Sequence, residues 1–329
     1  MDELIREVAF LIRNGTAVDA LNALIAKAPE EVKEKAKKLF DDPNIIETLD
    51  GVWADLLALI YYAHISRYSS QLTTKQGIVG RVVSSLTAAK LAKKLGIPEL
   101  EAIFLLSGAK GLTLMGMRDR AEVCYLKAEE LLRDLVKKDE SFLKELADVL
   151  NDLGIIYVET NEKEKGENYL EEALKIRREL AEKNEAYLPM LAQTLNNLAS
   201  LYKDTKRYDK ADELFDEAEK IYRKLVEKDE NYVIDLAVVL CNYGALCRVI
   251  REFEKAEKLY REALDIFKKL TEKDVFYNSA VADVLMYLSG LYRDMGDFDK
   301  AEEYMKRANE VYNELLAKLQ ERSEASSGA

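Results

Sequence analysis

Residues 191–235 read LAQTLNNLASLYKDTKRYDKADELFDEAEKIYRKLVEKDENYVID, and the placement of small and apolar residues in this stretch decides the fold. Leu195, Ala199 and Tyr202 are separated by four and three residues; Ala211, Phe215, Ala218 and Leu225 by four, three and seven. That rhythm puts each set on one stripe of a helix, whereas a strand would alternate with a period of two. A short polar break lies between the sets. The stretch is therefore a hairpin of two amphipathic helices of roughly 20 residues, each about 30 Å long.

The pattern recurs without a gap every 45 residues, in segments beginning at Glu101, Leu146, Leu191, Leu236 and Val281. Position 5 is always leucine (Leu105, Leu150, Leu195, Leu240, Leu285), and position 9 is always small (Ala109, Gly154, Ala199, Gly244, Ser289). Position 12 is Leu112, Tyr157, Tyr202, Cys247 and Tyr292, and position 21 is Ala121, Gly166, Ala211, Ala256 and Ala301. Small residues facing large ones let paired helices approach closely. Asp119, Glu164, Asp209, Glu254 and Asp299 follow the break inside each repeat and are expected to cap the second helix or to favour its positive end. A second break carries Asp139, Asn184, Asp229 and Asp274, each followed three residues later by an aromatic residue.

The small residue, Tyr, Ala, aromatic and Ala at positions 9, 12, 21, 25 and 28 resemble the tetratricopeptide repeat family. The copy TLNNLASLYKDTKRYDKADELFDEAEKIY is most similar to the longer repeats of kinesin light chains. The family's usual repeat is about 34 residues. Here Arg133, Arg178, Arg223, Lys268 and Asn313 stand where the family's second helix ends in Pro, which implies longer second helices. The resemblance implies an all-α, right-handed superhelical solenoid of antiparallel helix hairpins whose first helices line a concave side.

Residues 51–100 read as a degenerate hairpin of the same kind, ahead of five full repeats over 101–320. Residues 1–50 carry three shorter helices, broken near Asn14-Gly15, at Pro29 and at Asp41-Asp42-Pro43, and are expected to cover the first apolar face. The polar tail ERSEASSGA, residues 321–329, is expected to be disordered.

Composition narrows the function. Hydrophobic residues make up 48% and charged residues 33%, with only 14 Gly and 4 Pro, a balance suited to long helices. The longest apolar stretches, such as Val52 to Ala63, fall short of the roughly 20 residues a bilayer span needs, and the acidic N-terminus lacks the basic start of a signal peptide. A cytoplasmic location without membrane contact is expected. Net charge is −12, and the excess falls entirely in residues 101–329, with 36 basic against 48 acidic side chains, which argues against a nucleic-acid surface. Only 4 Gln accompany abundant Lys and Glu, a thermophile-like composition that points to a high melting temperature.

No set of catalytic residues emerges, so the chain does not read as an enzyme. One histidine, His64, cannot make a two-His zinc motif. Cys124, Cys241 and Cys247 sit in apolar helical text and read as buried thiols. The glycines at 77, 80, 108 and 111 fit neither a Walker nor a dinucleotide motif. Neither a metal nor a cofactor is expected.

One constellation points to binding. Asn197 and Asn242 fall at position 7, where the family's pattern places a ligand-binding amide; Ser107, Asp152 and Tyr287 occupy the other copies. An amide both donates and accepts, and so can bond a peptide backbone whatever its side chains. Lys203, Arg248 and Arg293 recur at position 13, beside Gln193 at position 3. The same cations could instead pair with Asp204, Asp294 and neighbouring acids on a wet surface. The leading expectation is a scaffold that holds a protein or peptide segment in its groove, and the alternative is a regulatory sensor of a small ligand or signalling peptide. Tyr304, Met305, Val311, Tyr312, Leu315 and Leu316 continue the apolar pattern on the last helix, where either a homodimer contact or truncation of a longer parent chain is expected.

Overall fold

The computed structural model describes residues 1–71 and 74–327, with side chains described as far as residue 320. Among the described residues there are 15 α-helices, short 3-10 turns and no strand. The chain divides into two compact units, residues 1–176 and 177–329. Both are built from consecutive helix hairpins, so the fold is an all-α repeat solenoid.

In the first unit, α1 (Asp2–Asn14), α2 (Ala17–Lys27) and α3 (Glu30–Ala36) precede a 3-10 turn at Pro43–Thr48. Thr16 and Asp19 start α2 with a reciprocal capping box, each side chain accepting from the other's backbone N–H at 3.0 and 2.9 Å. Helices α1 and α2 pack on α4 (Gly51–Ser70). Arg13 extends the contact farther, donating to Ser141 Oγ at 3.0 Å and lying 3.6 Å from the Phe142 ring centroid. Then come α5 (Lys75–Lys94), α6 (Pro98–Leu114), α7 (Arg118–Val136), α8 (Leu143–Glu159) and α9 (Lys163–Lys183), the last running past the division at residue 176.

The second unit holds the hairpins α10 (Leu188–Asp204) with α11 (Tyr208–Lys228), α12 (Val233–Val249) with α13 (Phe253–Thr271), and α14 (Asn278–Met295) with α15 (Phe298–Ser327). Helix α15 takes the backbone of residues 321–327, expected as a disordered tail, into regular structure; the last two residues of that tail lie outside the described residues. Residues 230–249 form the one described stretch long and apolar enough to cross a bilayer, which the search for apolar runs passed over. Half of that stretch is buried, and α12 packs between α11 and α13 as a core helix.

The hairpin turns are set by a backbone feature that the sequence reading missed. Position 16 of every repeat, Gly116, Asn161, Lys206, Arg251 and Gly296, has a positive φ between 62° and 83°. This left-handed residue turns the chain so that the following N–H reaches back to the carbonyl of position 12, as from Arg207 to Tyr202 and from Glu252 to Cys247, both at 2.8 Å. The expected acidic N-caps need correcting. Asp119, Glu164, Asp209, Glu254 and Asp299 lie in the first helical turn, and Met117, Arg207 and Glu252 at the capping positions offer no side-chain bond. Their carboxylates act on the helix dipole, which needs proximity but no capping geometry. Asp139, Asn184, Asp229 and Asp274 do cap, each accepting from the N–H two residues on.

Lysine and arginine carry a Cβ that makes the left-handed conformation unfavourable, whereas glycine adopts it freely. Lys206→Gly and Arg251→Gly are therefore expected to stabilise the protein by about 0.5–1 kcal/mol each, set against glycine's extra freedom when unfolded. The sites are far enough apart for their effects to add in a urea melt. Loss of stability in both variants would mean that these turns are held by side-chain contacts instead.

Neighbouring repeats are joined by recurrent polar clasps. Arg133 donates to Glu172 at 2.7 and 2.8 Å, and Arg223 to Glu262 at 2.6 and 2.9 Å, both bidentate and 39 residues apart. Arg178 makes the same step to Glu217 at 2.6 Å. The three arginines among the residues that replace the helix-ending Pro thus tie their second helices to the next. These hydrogen bonds hold Glu172 and Glu262 below the usual carboxylate range, so their contribution is present at neutral pH and is lost as pH falls through that lowered range. At the last step the counterparts are Lys268 and Arg307, and Arg307 turns to Glu303 of its own helix at 3.7 Å.

A second clasp joins a tyrosine of one repeat to an acid of the one before, as in Tyr157 to Glu122 and Tyr292 to Glu257, both at 2.7 Å. Where position 12 is Cys247, the hydroxyl comes instead from Tyr243, one helical turn earlier, which donates to Asp212 at 2.8 Å.

Candidate functional site

In the second unit the first helices α10, α12 and α14 pack on one another as well as on their second helices. Gln193, Asn197 and Lys203 lie on α10, Asn242 and Arg248 on α12, and Tyr287 and Arg293 on α14. Six residues at 100° each leave positions 7 and 13 about 120° apart around a helix, so amides and cations cannot form one line. The contacts agree. Asn242 reaches back to α10, donating to Asn196 Oδ1 at 3.0 Å, while Arg248 reaches forward to α14, its Nε 2.6 Å from Asp294 Oδ2.

The cations are partly engaged on the surface. Lys203 lies 3.6 Å from Asp204, and Arg293 is exposed. Gln193 is exposed too, its Oε1 3.5 Å from Nη1 of the buried Arg177. Arg248 lies flat on α14 because residue 290 is glycine; a Cβ there would stand 2.6 Å from its Nη1. Nothing in the 45-residue pattern marks Gly290, which faces a neighbouring first helix instead of its own partner.

Beneath this face lies a second feature invisible in sequence. Tyr260 is wholly buried, its ring 5.7 Å from that of Tyr287, and its hydroxyl has no hydrogen-bond partner among the described residues. At the matching position in the first unit, the Tyr125 hydroxyl has Thr113 and Asp152 as polar neighbours. In the second unit those two partner positions are filled by Arg248 and Tyr287. Burial pushes the Tyr260 hydroxyl up, so it stays a proton donor. Burial also raises the Asp283 carboxyl, which acts on both Cys241 and Tyr287. The Tyr260 hydroxyl is therefore a buried donor beneath this face with no partner among the described residues.

The other candidates carry less chemistry. Cys241 and Cys247 are buried free thiols, each pushed up to about 12 by burial, and so are poor nucleophiles at neutral pH. No group of His, Cys, Asp and Glu suited to a metal occurs among the described residues. His64 packs its ring 4.6 Å from Phe40. On α15 the apolar row is split: Tyr304 and Leu315 turn into the unit's own core, Met305 is half-buried, and Tyr312 and Leu316 are exposed. A helix stripe wide enough to pack on α14 has only its outer margin left over.

Comparison with known proteins agrees with this architecture. Family models described as tetratricopeptide repeat match residues 190–269, and 146–184 together with 281–318. No curated protein matches the chain in sequence. Among solved structures, the apo form of RapI aligns over 96% of this chain and 98% of its own at 17% identity, with a TM-score of 0.58. BtubC (BKLC) from P. vanneervenii aligns over 81% and 93% at 20% identity, with a TM-score of 0.52. Aspartyl phosphate phosphatase F from Bacillus subtilis aligns over 94% and 93% at 14% identity, with a TM-score of 0.55. At such identities the likeness speaks for the fold alone. The matched repeats, the 45-residue period and the stacked hairpins together place the chain in the tetratricopeptide repeat family.

Proposed function

We propose that the chain is a non-enzymatic scaffold whose second unit holds a peptide segment of a partner protein along α10, α12 and α14. The observation that carries this reading is the donor-rich character of that face, where Arg248, Arg293, Asn242 and the buried Tyr260 hydroxyl lie on or beneath adjoining helices. An extended peptide offers backbone carbonyls to the amides and acidic side chains to the guanidinium groups. Tyr287, 41% exposed, supplies an aromatic surface for an apolar side chain between them.

Selection of binders from displayed random peptides, followed by calorimetry, tests the proposal. Peptides recovered on the wild type are expected to be acidic and to bind the Arg248→Glu, Arg293→Glu double variant at least about tenfold more weakly. The melting temperature should change little, since the Arg248 to Asp294 pair is half-exposed and such pairs contribute at most about 1 kcal/mol. Equal binding by both proteins would return these arginines to the role of surface ion pairs.

A further inference from the structure

The first unit contains a partly open cavity of about 480 Å³ beneath the turn between α1 and α2, walled by α4 and α6. It is separate from the face described above, and nothing in the repeat pattern predicts it, because one wall comes from the non-repeating N-terminal helices. Its volume falls in the range of small-molecule sites, about 300–1,000 Å³. Ile12, Val18, Ile103 and Phe104 give it mostly apolar walls.

Arginine and serine side chains supply donors on those walls, beside His64. Arg67 uses two of its five N–H groups on the carbonyls of Gly15 and Ile12, at 2.5 and 3.1 Å, and has no carboxylate partner among the described residues. Arg13 also lines the cavity, but its guanidinium is engaged from the far side by Ser141 and by Asp139, 3.9 Å away. Ser66 and Ser85 share a hydrogen bond of 2.7 Å, and Ser85 donates to Ser107 at 3.1 Å. Ser107 also accepts from Arg81 at 3.4 Å, so the hydroxyl relay ends at the cavity wall with the Ser107 proton unspent. No acidic residue lines the space. The Arg67 guanidinium, with no carboxylate partner among the described residues, and the spare Ser107 hydroxyl are complementary to a planar oxyanion, and the apolar walls to a hydrocarbon body.

We propose that this cavity binds a small carboxylic acid with an apolar body, its carboxylate meeting Arg67 and its body lying against Ile103 and Phe104. Because the walls come from both α1–α2 and α4–α6, an occupant strengthens the docking of the N-terminal helices by mass action.

The probes are 4-phenylbutyrate, 4-phenylbutanol and 4-phenylbutylamine, titrated calorimetrically into the full chain. The acid is expected to bind at least about tenfold more tightly than the alcohol or the amine. It should also slow amide hydrogen exchange in residues 12–18. Arg67→Met keeps the length of the side chain but removes its charge, and is expected to cost about tenfold or more in affinity for the acid. Ile103→Trp keeps both arginines and fills the space, and should abolish binding while circular dichroism shows the helices intact. Equal affinity for acid and alcohol would overturn the carboxylate assignment. Binding unchanged by Ile103→Trp, or no binding of the acid at millimolar concentration, would overturn the site.

Discussion

Gly166→Val is expected to destabilise the first unit by about 3 kcal/mol, at the upper end of what overpacking usually costs. A Cβ at residue 166 would stand 2.8 Å from the carbonyl oxygen of Gly154 and 3.0 Å from the backbone nitrogen of Val158. Neither atom can rotate aside as a side chain would, so relief requires α8 and α9 to separate. The other four repeats carry Ala at this position, all at most 4% exposed, which shows that their hairpins cross with more room. A urea melt of the variant against Ala211→Val separates the two cases, the second change being the milder. Equal melts would mean that the glycine pair does not set the α8–α9 spacing.

Phe215→Ala is expected to cost about 3–5 kcal/mol, the range for emptying a buried phenylalanine site. The ring is completely buried and stacks on Tyr243 at 5.6 Å with planes 20° apart. Tyr243 in turn presents its hydroxyl to Asp212 at 2.8 Å and to Lys255 at 2.6 Å. Removing the phenylalanine leaves a void and also frees the tyrosine that joins two repeats. Thermal unfolding should be both lower and broader, because the coupling between repeats is reduced as well as their stability. A shift below 1 kcal/mol would show that the surrounding helices collapse into the gap.

These two sites show what the sequence made legible. Period, helix hairpins and core alanines follow from spacing, because every repeat faces the same packing problem and solves it with similar residues. Ala128, Ala173, Ala218, Ala263 and Ala308 are all at most 2% exposed. Departures from the period were harder to read. Tyr243 replaces the missing Tyr at position 12 from a different register, so an alignment of columns sees two unrelated substitutions where the structure has one clasp. Lys206 and Arg251 at left-handed turns give no propensity signal at all, although Gly116 and Gly296 in the same column could have raised it.

The candidate binding face was legible in its members and not in their arrangement. Asn242 and Arg248 do share α12, but they lean toward opposite neighbours, as a six-residue separation on a helix requires. Gly290 and Tyr260 escaped notice because each matters through a residue on another helix. The cavity under the α1–α2 turn escaped for a related reason: Arg67 and Ser107 are distant in sequence, and neither belongs to a recurring motif.

The guanidinium clasps also bear on where the array gives way. In a chain of repeats each junction is a separate link, and the strength of the whole against partial opening is that of its weakest terminal link. Arg223 fastens α11 to α13 through Glu262, but Lys268 and Arg307, which occupy the equivalent places one repeat later, carry the same sign of charge. The α13–α15 junction therefore lacks the fastener used by the α11–α13 junction before it. Helix α15 is therefore held to the preceding second helix less firmly, in this respect, than α13 is to α11, and its exposed Tyr312 and Leu316 lie on the less fastened helix.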